Sequence, residues 1–133
     1  MANVVEKQIL SDGPRNVVVR FAGTLDTSDV SIAPALRMSD LSTDPFLVLA
    51  GLKVYEIEYS IGTGLTVQLY WNSANPQLLA ALSESNEIHY YPTAAPDRTR
   101  PGYNGDINLS TSGFVLGKPS AFSFVLFMRK RYT

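Results

Sequence analysis

Apolar and polar residues alternate along most of this chain, and alternation with period two marks a strand with one buried and one wet face. "VVEKQIL" at residues 4–10 sets Val5, Lys7 and Ile9 against Val4, Glu6 and Gln8. "SDGPR" supplies a turn, and "NVVVRFAG" follows with Val17, Val19 and Phe21 on one face, so the two segments read as a hairpin. The clearest pattern is "KVYEIEYSI". There Tyr55, Ile57, Tyr59 and Ile61 share one face, and Val54, Glu56, Glu58 and Ser60 share the other. In "GLTVQLYW", Leu65, Val67, Leu69 and Trp71 oppose Thr66, Gln68 and Tyr70. Gly62 and Gly64 permit the positive φ of a tight turn, so these segments predict a second hairpin.

Elsewhere the pattern is more varied. "DVSIAP" reads as a short strand ending at Pro34, and "FLVL" as a short buried one. "NPQLLAALS" predicts the one helix: Asn75 caps, Pro76 takes the first position, and leucine and alanine fill the interior. "EIHYY" and "DINLSTSG" return to strand, separated by the proline-rich loop from Pro92 to Gly105. "AFSFVLFMRKR" is apolar at nearly every position, which predicts a strand covered on both faces, by this chain or by another subunit. Roughly seven to nine short strands with turns between them predict an all-β fold. The expectation is a single domain over residues 1–133, an antiparallel β-sandwich, jelly-roll-like or immunoglobulin-like, with one short helix near residues 76–83. A small barrel is the second choice.

Composition narrows the function classes. A chain of 133 residues suits one domain and buries enough surface to stand without staples. It has no cysteine, which removes disulfides, thiolate metal sites and a cysteine nucleophile and suits a reducing compartment. The start lacks a signal-peptide pattern, and the longest apolar runs fall well short of the ~20 residues of a spanning helix. A net charge of −1 argues against general nucleic-acid binding, which needs a strong positive field. "RKRY" at Arg129–Tyr132 is the local exception, a solvated strand end or a contact for an acidic partner surface.

Catalytic signals are weak. His89 is the one histidine and sits in a strand pattern. Glu56 and Glu58 lie two residues apart on one strand face, where a solvated surface competes with a glycosidase-like acid pair. Asp26 and Asp29 in "LDTSDVS" offer oxygen ligands for calcium, but these residue types also hydrogen-bond their own turns. No G-x-S-x-G elbow occurs, and "GTG" lacks the helix and lysine of a phosphate loop. The expectation is a non-enzyme without metal or cofactor. Trp71 and six of the tyrosines (55, 59, 70, 90, 91 and 103) raise a sugar-stacking platform as a rival reading. Tyr55, Tyr59 and Trp71 fall on apolar strand faces, where core packing suits them better.

Taken together, "DGPRNVVVRFAGTLDTSD" (12–29), "IEYSIGTGLTVQLYWN" (57–72) and "GDINLSTSGF" (105–114) resemble a family of small proteins encoded among tailed-bacteriophage structural genes. The resemblance implies a virion component, made in the host cytoplasm, with no catalytic residues to carry over. Among such β-sandwich proteins, capsid decoration or cement proteins are the most similar. They bind the outside of an assembled shell, often as trimers, so the implied partners are a major capsid or other virion protein and further copies of the chain. Head-completion, tail and fibre-attachment proteins are the rivals, and a carbohydrate-binding module is the alternative from another class. The expected contact residues are Arg98, Arg100 and Tyr103 in the loop and Arg129, Lys130 and Arg131 at the end, because arginine and tyrosine bring area and hydrogen bonding together.

Overall fold

A computed structural model gives the architecture. It describes residues 3–42, 49–94, 96 and 99–132; for 89–94 the description covers the backbone alone. Among the described residues, nine strands form two antiparallel sheets. These are β1 (Val4–Asp12), β2 (Asn16–Leu25), β3 (Ala33–Leu36), β4 (Leu49–Ile61), β5 (Thr66–Trp71), β6 (Gln77–Ser83), β7 (Ser85–Ala94), β8 (Ile107–Ser112) and β9 (Ser120–Tyr132). The larger sheet runs β1-β2-β9-β4-β7 and the smaller β3-β8-β5-β6. The fold is an all-β sandwich, and neither sheet closes into a barrel.

The core is the set of inward alternate positions. Val17, Val19 and Phe21 on β2 and Phe122, Phe124, Leu126 and Met128 on β9 are buried, as are Val67, Leu69 and Trp71 on β5. Phe21 and Phe124 stack with ring centroids 4.9 Å apart. The closing strand β9 is central in the larger sheet, between β2 and β4. That position explains its double apolarity: one face fills the core, and on the other Val125 and Phe127 are half-buried among neighbouring strands. The predicted β1–β2 hairpin forms with an antiparallel register.

Four expectations are corrected. The segment near 76–83 is strand β6, not a helix, with Ala80 and Leu82 turned into the core. Its helix-favouring residues give way to the ladder with β5, where Val67 faces Leu82 and Leu69 faces Ala80; for so short a segment, tertiary burial outweighs local propensity. The only helical turn among the described residues is a 3-10 turn at Met38–Asp40. Second, β4 and β5 are not a hairpin. They lie in different sheets, so the Gly62–Gly64 turn is an arch across the sandwich. The arch is held by the Gly62 N–H on the Ala121 carbonyl (2.9 Å) and the Leu65 N–H on the Gly62 carbonyl (3.0 Å). Third, Tyr55 leaves the core face. A bulge between Val54 and Glu56 shifts the β4 register, so Leu52 and Val54 before it and Ile57 and Ile61 after it are buried on one face. Tyr55 turns outward against Phe127, with centroids 6.2 Å apart. An extra residue in one strand of a pair reverses the face parity beyond it. Fourth, the strand expected before Pro34 is β3, which runs from Ala33 past Pro34 to Leu36. The "FLVL" strand falls mostly outside the described residues.

Candidate functional site

The two outer faces of the sandwich differ in kind. On the smaller sheet, outward positions align in three rows. Pro34, Asn108, Tyr70 and Leu78 form the first; Ser110, Gln68 and Ala81 the second; Ser112, Thr66 and Ser83 the third. None of these side chains carries a charge at neutral pH. Both amides among them have partners. Gln68 donates to the Ser112 hydroxyl (3.0 Å) and accepts from the Ser110 hydroxyl (3.3 Å). Asn108 donates to the Asn72 side-chain oxygen (2.8 Å), and Asn72 donates to that of Asn104 (3.0 Å). Amides that already have partners, on a face that carries no charge, lose little when water is removed. Tyr70 stands half-buried in this face and Leu78 is 55% exposed, which adds apolar area.

The outer face of the larger sheet is strongly charged. Lys53 pairs with Arg129 across the β4–β9 ladder at one end, and Arg131 lies opposite Gly51 beyond them. Toward the other end come Arg20, Glu58 and Glu87, aligned through Val125, with Glu6 one row further. Between the two zones Val18, Phe127 and Glu56 share one row, with Tyr55 at the bulge beside them, and the Arg129 guanidinium lies over the Tyr55 ring, 5.1 Å from its centroid. Ala22, Ser123 and Ser60 make a floor of small side chains in the acidic half. Two shallow troughs of about 420 and 550 Å³ open over this region.

The sequence-predicted contact residues divide. Tyr103 and Arg131 come to the same end of the molecule: the Tyr103 hydroxyl sits where a Cβ on Gly51 would be, 2.6 Å away, and Gly51 faces Arg131 in the ladder. Arg100 donates to the Asn75 carbonyl (2.9 Å), and the Pro101 carbonyl accepts from the Ala74 N–H (2.8 Å), so this part of the loop is tied to residues 72–75. Arg129 is exposed over Tyr55. Lys130 departs from the expectation. Its side chain has no exposed area, and its ammonium pairs with Asp12 and donates to the Ser42 carbonyl (2.6 Å). Alternation on β9 puts it on the inner face with Met128, where it is a structural cation and not a contact. Arg98 and the side chains of His89, Tyr90 and Tyr91 lie outside the described residues.

The weaker chemical candidates resolve into structure. Asp29 accepts from the Thr111 hydroxyl (3.1 Å) and the Phe114 N–H (3.0 Å), a tie between the 26–32 segment and the end of β8. Asp26 lies in a turn whose N–H donates to the Asn3 side chain (2.8 Å). Among the described residues no three histidine or acidic side chains gather as metal ligands would. Glu58 is exposed on the outer face opposite Glu87, away from any enclosed cleft. Sequence reasoning missed the Gln68–Ser110–Ser112 ladder because β5 and β8 are distant in the chain. The available signal was local: the outward positions of "TVQLY" and "INLSTS" hold no charge.

No protein-family model and no curated protein matches the chain. Among solved structures, one described as "CBM4 structure and function" is similar at 11% identity, aligned over 98% of this chain and 95% of that one, with a TM-score of 0.32.

Proposed function

We propose that this protein is a non-catalytic interaction module of a phage virion that docks on another protein through the uncharged face of its smaller sheet. The observation that carries the reading is the Tyr70, Gln68 and Asn108 face. It holds no charge to desolvate, its amides are paired within the sheet, and Tyr70 and Leu78 supply apolar area. Interfaces are depleted in charge at their centres and enriched in aromatics, and this face has that composition. The virion setting rests on the family resemblance, and capsid decoration remains its most specific form. A sugar site would keep its amide groups available and stack more than one aromatic, whereas Gln68 spends both ends of its amide on serines of β8.

The test is co-sedimentation with empty shells of the parent phage. Leu78→Asp and Ala81→Asp place a charge on the face at exposed positions, and Leu116→Asp, at a residue 78% exposed, is the control. Shell binding that survives both face variants overturns the docking surface. Binding of a soluble oligosaccharide, lost on Tyr70→Ala, replaces the reading with a carbohydrate-binding module.

A further inference from the structure

We infer that a second copy of this chain adds its β1 to the β1 edge across a two-fold axis at Lys7, joining the two larger sheets into one. β1 is the edge of the larger sheet, paired with β2 on one side. Val4, Val5, Ile9 and Leu10 all lie on it, four of the eight large apolar residues exposed among the described residues. An edge strand also keeps a row of backbone N–H and C=O groups that can bind another strand. The symmetry of the segment identifies the occupant. "VVEKQIL" runs apolar, apolar, polar, Lys7, polar, apolar, apolar in either direction. An antiparallel copy centred on Lys7 sets Val5 against the partner's Ile9 and Val4 against the partner's Leu10, each twice.

An axis normal to the sheet keeps the two faces in step. Val5, Lys7 and Ile9, opposite the inward Gly23, Phe21 and Val19 of β2, meet the partner's inward set. On the outward side Glu6 faces the partner's Gln8, and the partner's Arg20 lies one strand further along that row. Neighbouring registers are worse. An axis at Glu6 sets two glutamates together and Val5 against the partner's Lys7; an axis at Gln8 sets Lys7 against the partner's Ile9 and Glu6 against the partner's Leu10. Lys7 does meet its own copy on the axis, and an inward lysine ordinarily guards an edge strand. Here its ammonium is ion-paired with Asp40 of the same chain, so the axis carries two neutral pairs. The bulge at Leu10 lies at the end of the paired stretch and leaves Val5 to Ile9 regular. Seven residues span only about 24 Å, less than a standard interface, so the dimer is weak. It is two-fold, where the cement-protein resemblance implies a trimer. It does not use the outer face of the smaller sheet, so it stands apart from the docking reading.

The test is disulfide trapping of the full chain, with no shell present; the chain has no cysteine of its own to interfere. Lys7→Cys puts two sulfurs on the axis, with Cα atoms about 4.5–5.5 Å apart, within the reach of a disulfide. Mild oxidation at a protein concentration on the order of 100 μM should cross-link it. Val5→Cys alone should cross-link about tenfold more slowly, since its two copies stand roughly 14 Å apart. Mixed with Ile9→Cys it should cross-link as readily as Lys7→Cys, and that mixture keeps the Lys7–Asp40 pair intact. Sedimentation equilibrium should show a parent dimer in the same concentration range, weakened about tenfold or more by Val5→Lys and unchanged by Leu78→Asp on the smaller sheet. Circular dichroism checks that each variant is folded. A parent that stays monomeric to millimolar concentration overturns the inference, as does Lys7→Cys that cross-links no faster than Val5→Cys. A dimer lost on Leu78→Asp and kept on Val5→Lys overturns it too, and moves the contact to the smaller sheet.

Discussion

The ammonium of Lys130, on the last strand, is ion-paired with the carboxylate of Asp12, on the first, and the Lys130 side chain is wholly buried. The pair fastens the β1–β2 turn to β9, and the Ser42 carbonyl takes a further ammonium hydrogen. Burial by itself raises the Asp12 pKa. The hydrogen bonds from Lys130 and Ser42 and the ammonium charge outweigh it, leaving the carboxyl below its ordinary value.

Acid should therefore unfold the protein partly through this pair. A carboxylate with a depressed folded pKa contributes stability that is present above its unfolded value, near 3.8, and is lost as the pH falls through the lower folded value. Asp12→Ala leaves a buried cation without its anion and should lower stability at neutral pH by about 3 kcal/mol. Urea unfolding across this acid range should show a shallower pH dependence for the variant. Equal slopes would remove Asp12 from the acid response.

The bulge in β4 makes a prediction that pure alternation would reverse. Ile57 is fully buried, and Ile57→Ala should lower stability by roughly 2–5 kcal/mol. Tyr55 lies outside, against Phe127 and Arg129, and Tyr55→Ala should lower it by no more than about 1 kcal/mol. Chemical denaturation of the two variants decides it; similar losses would place Tyr55 in the core.

Gly113 separates backbone strain from crowding. Its φ is +93°, and a Cβ there would come within 2.2 Å of the Gly64 carbonyl oxygen, in the arch between the sheets. Gly117 has φ +87° and open space around it. Gly117→Ala should cost about 1 kcal/mol from φ alone, and Gly113→Ala at least twice that, because the arch must also move. Thermal melts of both variants measure the difference.

Trp71 is the one tryptophan and is 2% exposed on the inner face of β5. Its emission should be blue-shifted in the folded protein, resist iodide quenching, and shift red on unfolding together with the loss of the β-sheet signal. Free quenching in the native state would contradict this packing.

Period two was legible in the sequence, and with it most of the strands and most of the core. Val17, Val19, Phe21, Val67, Leu69 and Trp71 face inward as alternation requires, because a strand in a sandwich has only two faces to offer. What tertiary structure decided is wherever a choice depends on residues far away in the chain. The arch at Gly62–Gly64 has the local signs of a hairpin, yet β5 finds its partners in β6 and β8. The β6 residues favour a helix locally, but Leu82 gains more by completing the core beside Val67. The β4 bulge is visible only against the register of β9, and Lys130 becomes a buried cation only because Asp12 and Ser42 close over it. The candidate site belongs to this second group. An uncharged face and a charge-divided face each require strands from both halves of the chain, and short-range periodicity carries no record of which strands will be neighbours.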